Sequence, residues 1–415
     1  MRNGLEVADV FRDGQSRFVA QYGHTLRLEQ RQVLTAIIRC RTAELGGHVQ
    51  RCDECGHQRI QYNSCRNRHC PKCQALARAA WLEARQAELL PIPYFHVVFT
   101  LPEEIRPLAL QNKRLVYGIL FRAAAETLQE VAANPKHLGA EIGLLAVLHT
   151  WGQNLMHHPH VHCVVTGGGL APGRSHWVPC QRSRRRKKPF FLPVRILSRV
   201  FRGKFIAFLK RAYGRGKLHF YGKLASLAQT AAWQSRLDAA VRKDWIVYAK
   251  RPFGGPRRVL KDLARYTHRV AISNQRLIEL RDGQVSFQYK DYADDQQTKV
   301  MKLASSEFIR RFLMHTLPNG FVRIRYYGFL SNRDRHQRLE QCRRLLGAPN
   351  LPTQPAEPAQ LPAEDVACLS PATCPICKRR SLVIIDVVPA IPPCMPRRPH
   401  FLARHATNAA GVDTS

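Results

Sequence analysis

The chain has 415 residues and carries 65 Lys and Arg against 30 Asp and Glu, a formal net charge of +35. Such an excess of positive charge favours nucleic acid as a partner, because neutralising phosphates releases condensed counterions. We expect neither a membrane partner nor export, since the longest apolar runs are too short to span a bilayer and the N-terminus lacks the apolar core of a signal peptide. These features predict an intracellular protein that faces nucleic acid.

Predicted helices and strands alternate along the chain, which indicates an α+β fold. In chain order they are a helical stretch over 1–45, short strands and turns with paired cysteines over 46–73, a helix over 75–90, a strand over 94–100, a helix over 107–133, strands over 142–150 and 161–166, a basic loop over 182–188, helices over 194–213 and 257–269, and strands over 284–289, 299–303 and 321–326. Beyond about residue 346 the chain is rich in proline, which predicts a flexible tail. We therefore expect a helical and cysteine-rich domain over 1–92, a main domain over 93–345 and a tail over 346–415.

Paired cysteines are the most specific motif of the first domain. Cys52 and Cys55 form one Cys-x-x-Cys pair, and Cys70 and Cys73 form a second pair 14 residues further on. Two such pairs at this spacing can place four thiolates around one Zn²⁺ in a closed, structural site, as in a zinc ribbon. Free or redox-active thiols are the alternative, and the nearby Cys65 and His69 are alternative ligands.

Basic residues surround these cysteines, and Arg66 and Arg68 are predicted DNA contacts, with solvated surface charge as the alternative. A weaker cysteine cluster lies in the tail. Cys374 and Cys377 form a third Cys-x-x-Cys pair, with Cys368 and Cys394 nearby to complete a second zinc site.

Histidines at alternate positions mark the strand that begins near His158. Side chains alternate between the two faces of a strand, so His160 and His162 point the same way, roughly 7 Å apart at Cα, while Val161 and Cys163 face the other side. Two imidazoles on one face can share a divalent ion and leave coordination positions for a phosphate. Buried histidines satisfied by hydrogen bonds are the alternative interpretation.

Tyr266 is the candidate nucleophile for phosphate chemistry at such a site. On the predicted helix, Asp262 and Tyr266 share a face, and Arg265 and Arg269 are placed to hold flanking phosphates. A tyrosine suits strand transfer because a phosphotyrosine preserves the energy of the phosphodiester bond. Ordinary packing is the alternative for one of 12 tyrosines.

The order of these motifs resembles the insertion-sequence-91 type of rolling-circle transposases, members of the HUH (His-hydrophobic-His) endonucleases. The resemblance covers roughly residues 10–345. After the paired cysteines it rests on the stretches Tyr94–Pro102, His149–Gln153, His158–His162, Arg265–Asn274 and Arg323–Leu330.

The resemblance implies an antiparallel-sheet nuclease core flanked by helices, with the two histidines on a central strand and the tyrosine helix beside it. It implies nicking of single-stranded DNA at transposon ends through a 5′-phosphotyrosine, release of a 3′-OH, and transfer to target DNA. It makes His160 and His162 ligands of Mg²⁺ or Mn²⁺ and Tyr266 the nucleophile, with His149 or His158 as the third ligand. It also implies a bacterial, cytoplasmic and nucleoid-associated protein, and an oligomer is compatible with it.

One position departs from the two-tyrosine members of this group, which carry Tyr-x-x-x-Tyr on that helix. Asp262 stands at the first position. Either the chain works with a single tyrosine, alone or with a second protomer, or this copy is impaired. Three further alternatives stay open: a non-catalytic zinc-containing DNA-binding protein, a nuclease that uses water, with Asp262 helping to activate it, and an RNA-binding zinc protein.

Overall fold

A computed structural model describes residues 4–74, 81, 85, 88–180, 192–250, 270–291, 294–295, 297–348 and 373–391. Its α-helices are α1 Val7–Tyr22, α2 Leu28–Arg39, α3 Arg106–Gln111, α4 Lys113–Ala133, α5 Val194–Gly214, α6 Thr230–Val241, α7 Ser305–Leu313 and α8 Arg335–Leu345. Short 3₁₀ turns cover Gly23–Thr25, Ala43–Leu45, Pro172–Arg174, Gly222–Ala228 and Asn274–Arg276. The strands are β1 Gly47–Cys52, β2 Gln58–Tyr62, β3 Tyr94–Thr100, β4 Glu141–Trp151, β5 His157–Leu170, β6 Trp177–Pro179, β7 Val247–Lys250, β8 Leu277–Arg281, β9 Gln284–Asp291, β10 Gln297–Ala304, β11 Ile324–Gly328 and β12 Leu382–Val388.

The largest sheet has six strands and every neighbouring pair in it is antiparallel. Its order is β11-β4-β5-β3-β7, and β6 adds to the end of β5. β5 is therefore central, with β3 on one side and β4 on the other. The predicted α+β class with an antiparallel-sheet core is confirmed, and the strand that carries His160 and His162 lies in the middle of the sheet.

The two faces of this sheet carry different side chains because residues alternate along each strand. One face packs against α4 and α5 and forms the largest core, to which the central strand contributes Val161, Cys163 and Val165. The other face is partly covered by α8, where Leu145, Val147 and Val164 pack against Leu339 and Cys342. His149 of β4 and His160 and His162 of β5 lie on this second face.

A second core joins the N-terminal helices to a later part of the chain. Phe11 and Phe18 of α1 pack with Phe287 of β9 and with Phe308 and Phe312 of α7. The small three-stranded sheet β8-β9-β10 covers this core. The N-terminal helices thus share a core with residues that the sequence assigns to the main domain, so packing does not follow the predicted division at residue 92.

Part of the predicted tail belongs to the N-terminal sheet. β12 pairs antiparallel with β1, so that the third sheet has the order β12-β1-β2. The described residues 373–391 therefore form a turn and a strand rather than a free tail, while residues 349–372 and 392–415 lie outside the described part of the chain. This contact between the two ends of the chain is absent from the predicted domain scheme.

The elements predicted from apolar periodicity agree closely with the structure where it describes them. The strand predicted over 94–100 is β3, and the helix predicted over 194–213 is α5. The predicted helices over 75–90 and 257–269 and the basic loop over 182–188 fall largely or wholly outside the described residues. Among the described residues, no helix combines the length and apolarity that crossing a membrane requires.

Candidate nuclease centre and cysteine clusters

Three histidines converge on the second face of the large sheet. His149 on β4 is paired directly with His160 on β5, and His162 is opposite Val147 in the same ladder. One ring nitrogen from each of His149, His160 and His162 lies within 4.8 Å of the other two. Within the described residues, this group consists of three imidazoles and contains no carboxylate.

Strand alternation produces this convergence. Val161 and Cys163 are fully buried in the helix-covered core, which directs the intervening His160 and His162 to the opposite face. Direct opposition across an antiparallel pair brings side chains within about 5.5 Å at Cβ, so a histidine on β4 reaches the same space. His149 and His162 are both buried.

Hydrogen bonds orient two of the three rings. His160 Nδ1 lies 2.7 Å from the carbonyl oxygen of His158, so Nδ1–H donates and Nε2 keeps its lone pair. Burial lowers the pKa of His160 to about 4, so the ring is neutral at pH 7. His162 Nδ1 lies 2.8 Å from Nε2 of the buried His96 on β3. If His162 donates that hydrogen bond, its Nε2 also remains available to an ion.

His149 rather than His158 completes the group. His158 was the other candidate for third ligand, but its ring nitrogens lie outside the three-atom cluster. Its carbonyl oxygen instead orients His160. His149 stacks on Trp151, with ring centroids 4.6 Å apart, which fixes the plane of its imidazole.

His157 and His315 lie near this group, half-buried and buried respectively, and both are hydrogen-bonded. That is the structural role which the sequence offered as the alternative to metal binding. His157 Nε2 lies 2.8 Å from the hydroxyl of Tyr117, and the two ring nitrogens of His315 contact Thr150 and the carbonyl of Leu155. Burial lowers the pKa of His157 to about 2 and that of His315 to about 3. Both rings are therefore neutral packing groups with hydrogen-bond partners.

Sequence reasoning missed two residues beside the histidine group. His96 lies on a strand that was predicted correctly, but its contact with His162 depends on the pairing of β3 with β5. Arg106, at the start of α3, is half-buried and its charge contributes to the lowered pKa values of His158 and His160. A guanidinium at this position can hold a phosphate oxygen next to the histidines.

The predicted nucleophile lies outside the described residues, as do Asp262, Arg265 and Arg269. The described chain resumes at Val270, four residues after Tyr266. Val270 and Ala271 line a small cavity together with Thr150 and Trp151 of β4. The described chain therefore resumes beside the strand that carries His149.

A four-cysteine cluster lies at the end of α2. It consists of Cys40, Cys65, Cys70 and Cys73, whose sulfur atoms all lie within 4.8 Å of one another. Cys73 Sγ is 3.6 Å from both Cys40 Sγ and Cys65 Sγ. Four sulfurs placed about 2.3 Å from a tetrahedral Zn²⁺ are about 3.8 Å apart, so this cluster fits that ion.

The predicted ligand set of Cys52, Cys55, Cys70 and Cys73 has to be corrected. The structure brings Cys70 and Cys73 together with Cys40 and Cys65, whereas Cys52 and Cys55 lie with Cys374 and Cys377. The physical reason is the β1–β2 hairpin, which carries the first pair away from the second. Of the two alternative ligands, Cys65 belongs to the cluster, but His69 accepts a hydrogen bond at Nε2 from the backbone of Leu317.

The loop of this first cluster docks on the approach to β11. Arg68 donates hydrogen bonds of 2.6 and 2.7 Å to the carbonyl oxygens of Phe321 and Pro318, and Arg323 donates to Gln74. Arg68 is therefore used inside the protein, whereas Arg66 is exposed and remains a candidate DNA contact. β11 pairs with β4, so the loop of the cluster contacts the residues that lead into a neighbour of the strand that carries His149.

Comparison with known proteins finds two matching family models and two similar relatives. Residues 10–101 match a family model described as "Transposase zinc-binding domain", and residues 143–338 match one described as "Putative transposase". The chain is 54% identical to "Putative transposase y4qJ" of Sinorhizobium fredii over 390 residues, which cover 93% of this chain and 96% of that relative. It is 30% identical to the "Transposase for insertion sequence element IS801" of Pseudomonas savastanoi pv. phaseolicola over 312 residues, 73% of this chain and 70% of the relative. No solved structure gives a significant match.

Both family models and both relatives are transposases, and together they span the cysteine-rich module and the sheet that carries the histidines. The chain belongs to the insertion-sequence-91 type family of transposases.

Proposed function

We propose that this transposase nicks single-stranded DNA at the ends of its element through the hydroxyl of Tyr266. The observation that carries the proposal is the convergence of His149, His160 and His162 on one face of neighbouring strands. Three imidazoles at this distance form an open metal site on a sheet, and phosphate oxygens are suitable further ligands.

The donor set favours one of the two expected ions. Of the two expected ions, Mn²⁺ accepts imidazole nitrogen more readily than Mg²⁺, which demands oxygen ligands in near-ideal octahedral geometry. We therefore assign Mn²⁺ as the better fit to His149, His160 and His162. When bound, such an ion would neutralise charge on a non-bridging phosphate oxygen. The described zinc-type cysteine clusters differ in offering four thiols and no open position.

In the proposed reaction, Tyr266 Oη attacks the scissile phosphorus and the bond from phosphorus to the 3′ oxygen breaks. The products are a 5′-phosphotyrosine and a strand with a free 3′-OH, while the proton of the tyrosine is lost and the leaving oxygen gains one. Arg106 is proposed to hold the phosphate, since its Nε donates to the carbonyl of Leu101, the residue after Thr100, and Thr100 is paired with His160. Because the phosphotyrosine keeps the energy of the phosphodiester, a 3′-OH of the element or target DNA can later attack it and restore the backbone.

Two features support Tyr266 as the nucleophile. Val270, which is four positions from Tyr266 in sequence, lines a cavity with Trp151 and Thr150 of the strand that carries His149. Asp262 stands where two-tyrosine relatives carry the first tyrosine, so we assign a single nucleophile to each chain. Arg265 and Arg269 flank it in sequence and are proposed to hold adjacent phosphates.

Labelled oligonucleotides test this proposal. Single strands that cover the ends of the element are incubated with the protein and Mn²⁺ and separated on a denaturing gel. A 3′-end label should move with the protein, and a 5′-end label should leave as a shorter strand. Cleavage in which neither label stays on the protein would indicate attack by water. Tight binding to the cognate end without cleavage would indicate a DNA-binding protein that does not nick.

A basic groove is the proposed path of the DNA. It has a volume of about 730 Å³ and lies between α4, the C-terminal end of α5 and Arg27. Its described lining includes seven basic residues and no acidic one: Arg27, Lys113, Arg114, Arg122, Arg211, Arg215 and Lys217. α4 and α5 cover the face of the large sheet opposite to the one that carries His149, His160 and His162, so the groove is proposed to bind DNA away from the cleavage point.

Replacing Arg211 and Arg215 together with alanine is expected to weaken binding of single-stranded DNA about tenfold near 0.1 M salt. The slope of log K against log salt should become shallower by about 1.4, because each lost phosphate contact contributes about 0.7. Arg195→Ala/Arg199→Ala is the matched control, since both residues are exposed on α5 outside the groove. Equal losses in the two double variants would contradict the assignment of the groove.

A further inference from the structure

The second cysteine cluster joins the two ends of the chain. Cys52 ends β1 and Cys55 follows it, and Cys374 and Cys377 precede β12. Cys52 Sγ lies 3.5 Å from Cys377 Sγ, and Cys55 Sγ lies 3.6 Å from Cys374 Sγ, although the paired residues are 325 and 319 positions apart. All four sulfurs lie within 4.8 Å of one another, close to the spacing of about 3.8 Å in a tetrahedral zinc thiolate site.

The two Cys-x-x-Cys turns have the same backbone hydrogen bonds. In the first turn, Gly56 N–H donates to the carbonyl of Cys52, and Cys52 N–H donates to the carbonyl of His57. In the second turn, Lys378 N–H donates to the carbonyl of Cys374, and Cys374 N–H donates to the carbonyl of Arg379. The residue after each second cysteine has a positive φ, 69° at Gly56 and 62° at Lys378.

This equivalence is informative because Lys378 is not a glycine. A left-handed backbone costs a residue with a side chain roughly 1 kcal/mol or more, so its occurrence at the same position in both turns indicates a shared requirement. Each turn directs its two thiols to one side. Two equivalent turns that face each other therefore present four thiols around one point.

Burial of apolar side chains does not account for the position of the second turn. Among the described residues 373–391, Cys374 alone is buried, and Ile384 and Val387 of β12 are 58% and 63% exposed. The contacts of this segment include the β1–β12 ladder, the hydrogen bond from Asp53 N–H to the carbonyl of Ser381, the Arg379–Glu54 ion pair and the contact of Ser381 Oγ with Cys52 Sγ. An exposed ion pair contributes little to stability. A metal ion bound by the four thiols would supply the stabilisation that holds the second turn in place.

We propose that Cys52, Cys55, Cys374 and Cys377 bind a second structural zinc ion, which fastens the C-terminal strand to the N-terminal sheet. Four thiolates leave no open coordination position, so the ion has a structural and not a catalytic role. Binding releases the four thiol protons and couples the metal to the folding of β12. The first cluster, formed by Cys40, Cys65, Cys70 and Cys73, holds a separate ion.

Zinc content of the full-length protein, purified without chelator and under reducing conditions, tests this proposal. Wild-type protein should contain two zinc ions per chain by elemental mass spectrometry. Cys52→Ser and Cys377→Ser should each contain one, and the double variant Cys52→Ser/Cys377→Ser should still contain one, since both residues serve the same ion. Cys368→Ser/Cys394→Ser is the matched control and should keep two.

Two results would overturn the proposal. One is a zinc content of one in wild-type protein. The other is a double variant that loses both ions, as expected if Cys52 and Cys377 serve different sites. Cobalt titration of the wild-type apoprotein keeps the test valid if a variant fails to fold, because two tetrathiolate centres give twice the thiolate-to-cobalt absorption of one. These measurements do not depend on DNA nicking, so their outcome tests the second zinc site independently of the proposed nuclease activity.

Discussion

A Tyr266→Phe variant is expected to lose nicking by about 10⁴-fold or more while its affinity for single-stranded DNA stays within about twofold of wild type. The substitution removes one oxygen atom, the proposed nucleophile, and keeps the aromatic ring that packing would use. Rates of cleavage of a labelled single strand and equilibrium binding of the same strand, measured in Mn²⁺, separate the two effects.

Tyr289→Phe is the matched control for this prediction. Tyr289 lies on β9, is partly buried against the N-terminal core, and takes no part in the proposed reaction. Wild-type nicking by Tyr266→Phe would remove Tyr266 from the mechanism. A parallel loss of DNA affinity would instead show that the hydroxyl serves in binding.

Replacing His160 or His162 with alanine is expected to lower Mn²⁺-dependent nicking at least about 100-fold, because each ring supplies one of only three protein ligands. His149→Ala should have an effect of the same size, which distinguishes the proposed set from a site that uses only β5. The fraction of free Mn²⁺ in electron paramagnetic resonance spectra reports the loss of ion binding without reference to activity.

His158→Ala is the control for the histidine variants. His158 contacts the site through its backbone carbonyl, which survives the substitution, so Mn²⁺ binding should stay close to wild type. If His158→Ala abolishes Mn²⁺ binding while His149→Ala leaves it intact, the third ligand has been assigned to the wrong residue.

Alternation along one strand was sufficient to predict that His160 and His162 share a face, because that inference requires only local geometry. The choice of His149 over His158 was left open by the sequence. It depends on which residue of β4 pairs with His160, and register is a property of two strands that no local pattern contains. The contact of His96 with His162 was missed for the same reason.

Cysteine grouping shows where proximity in sequence misleads. Cys52–Cys55 and Cys70–Cys73 are near neighbours with the spacing of a zinc ribbon, but the β1–β2 hairpin separates them. Cys70 and Cys73 instead lie with Cys40, which belongs to no sequence motif. Cys52 and Cys55 lie with a turn more than 300 positions further along the chain. Helices α6, α7 and α8 and the short strands β7 and β8 were also missed, although the helical spacing of Phe308, Ile309, Phe312 and Leu313 was a signal that could have found α7.

Mass-spectrometric mapping of the covalent protein–DNA adduct tests the central claim most directly. After reaction with a cleavable single strand, nuclease treatment leaves a short nucleotide remnant on the protein, and tryptic peptides are then sequenced. The proposed mechanism predicts the remnant on the peptide that contains Tyr266, bounded by Arg265 and Arg269 and holding a single tyrosine. A remnant on any other residue, or cleavage with no remnant on the protein, would contradict it.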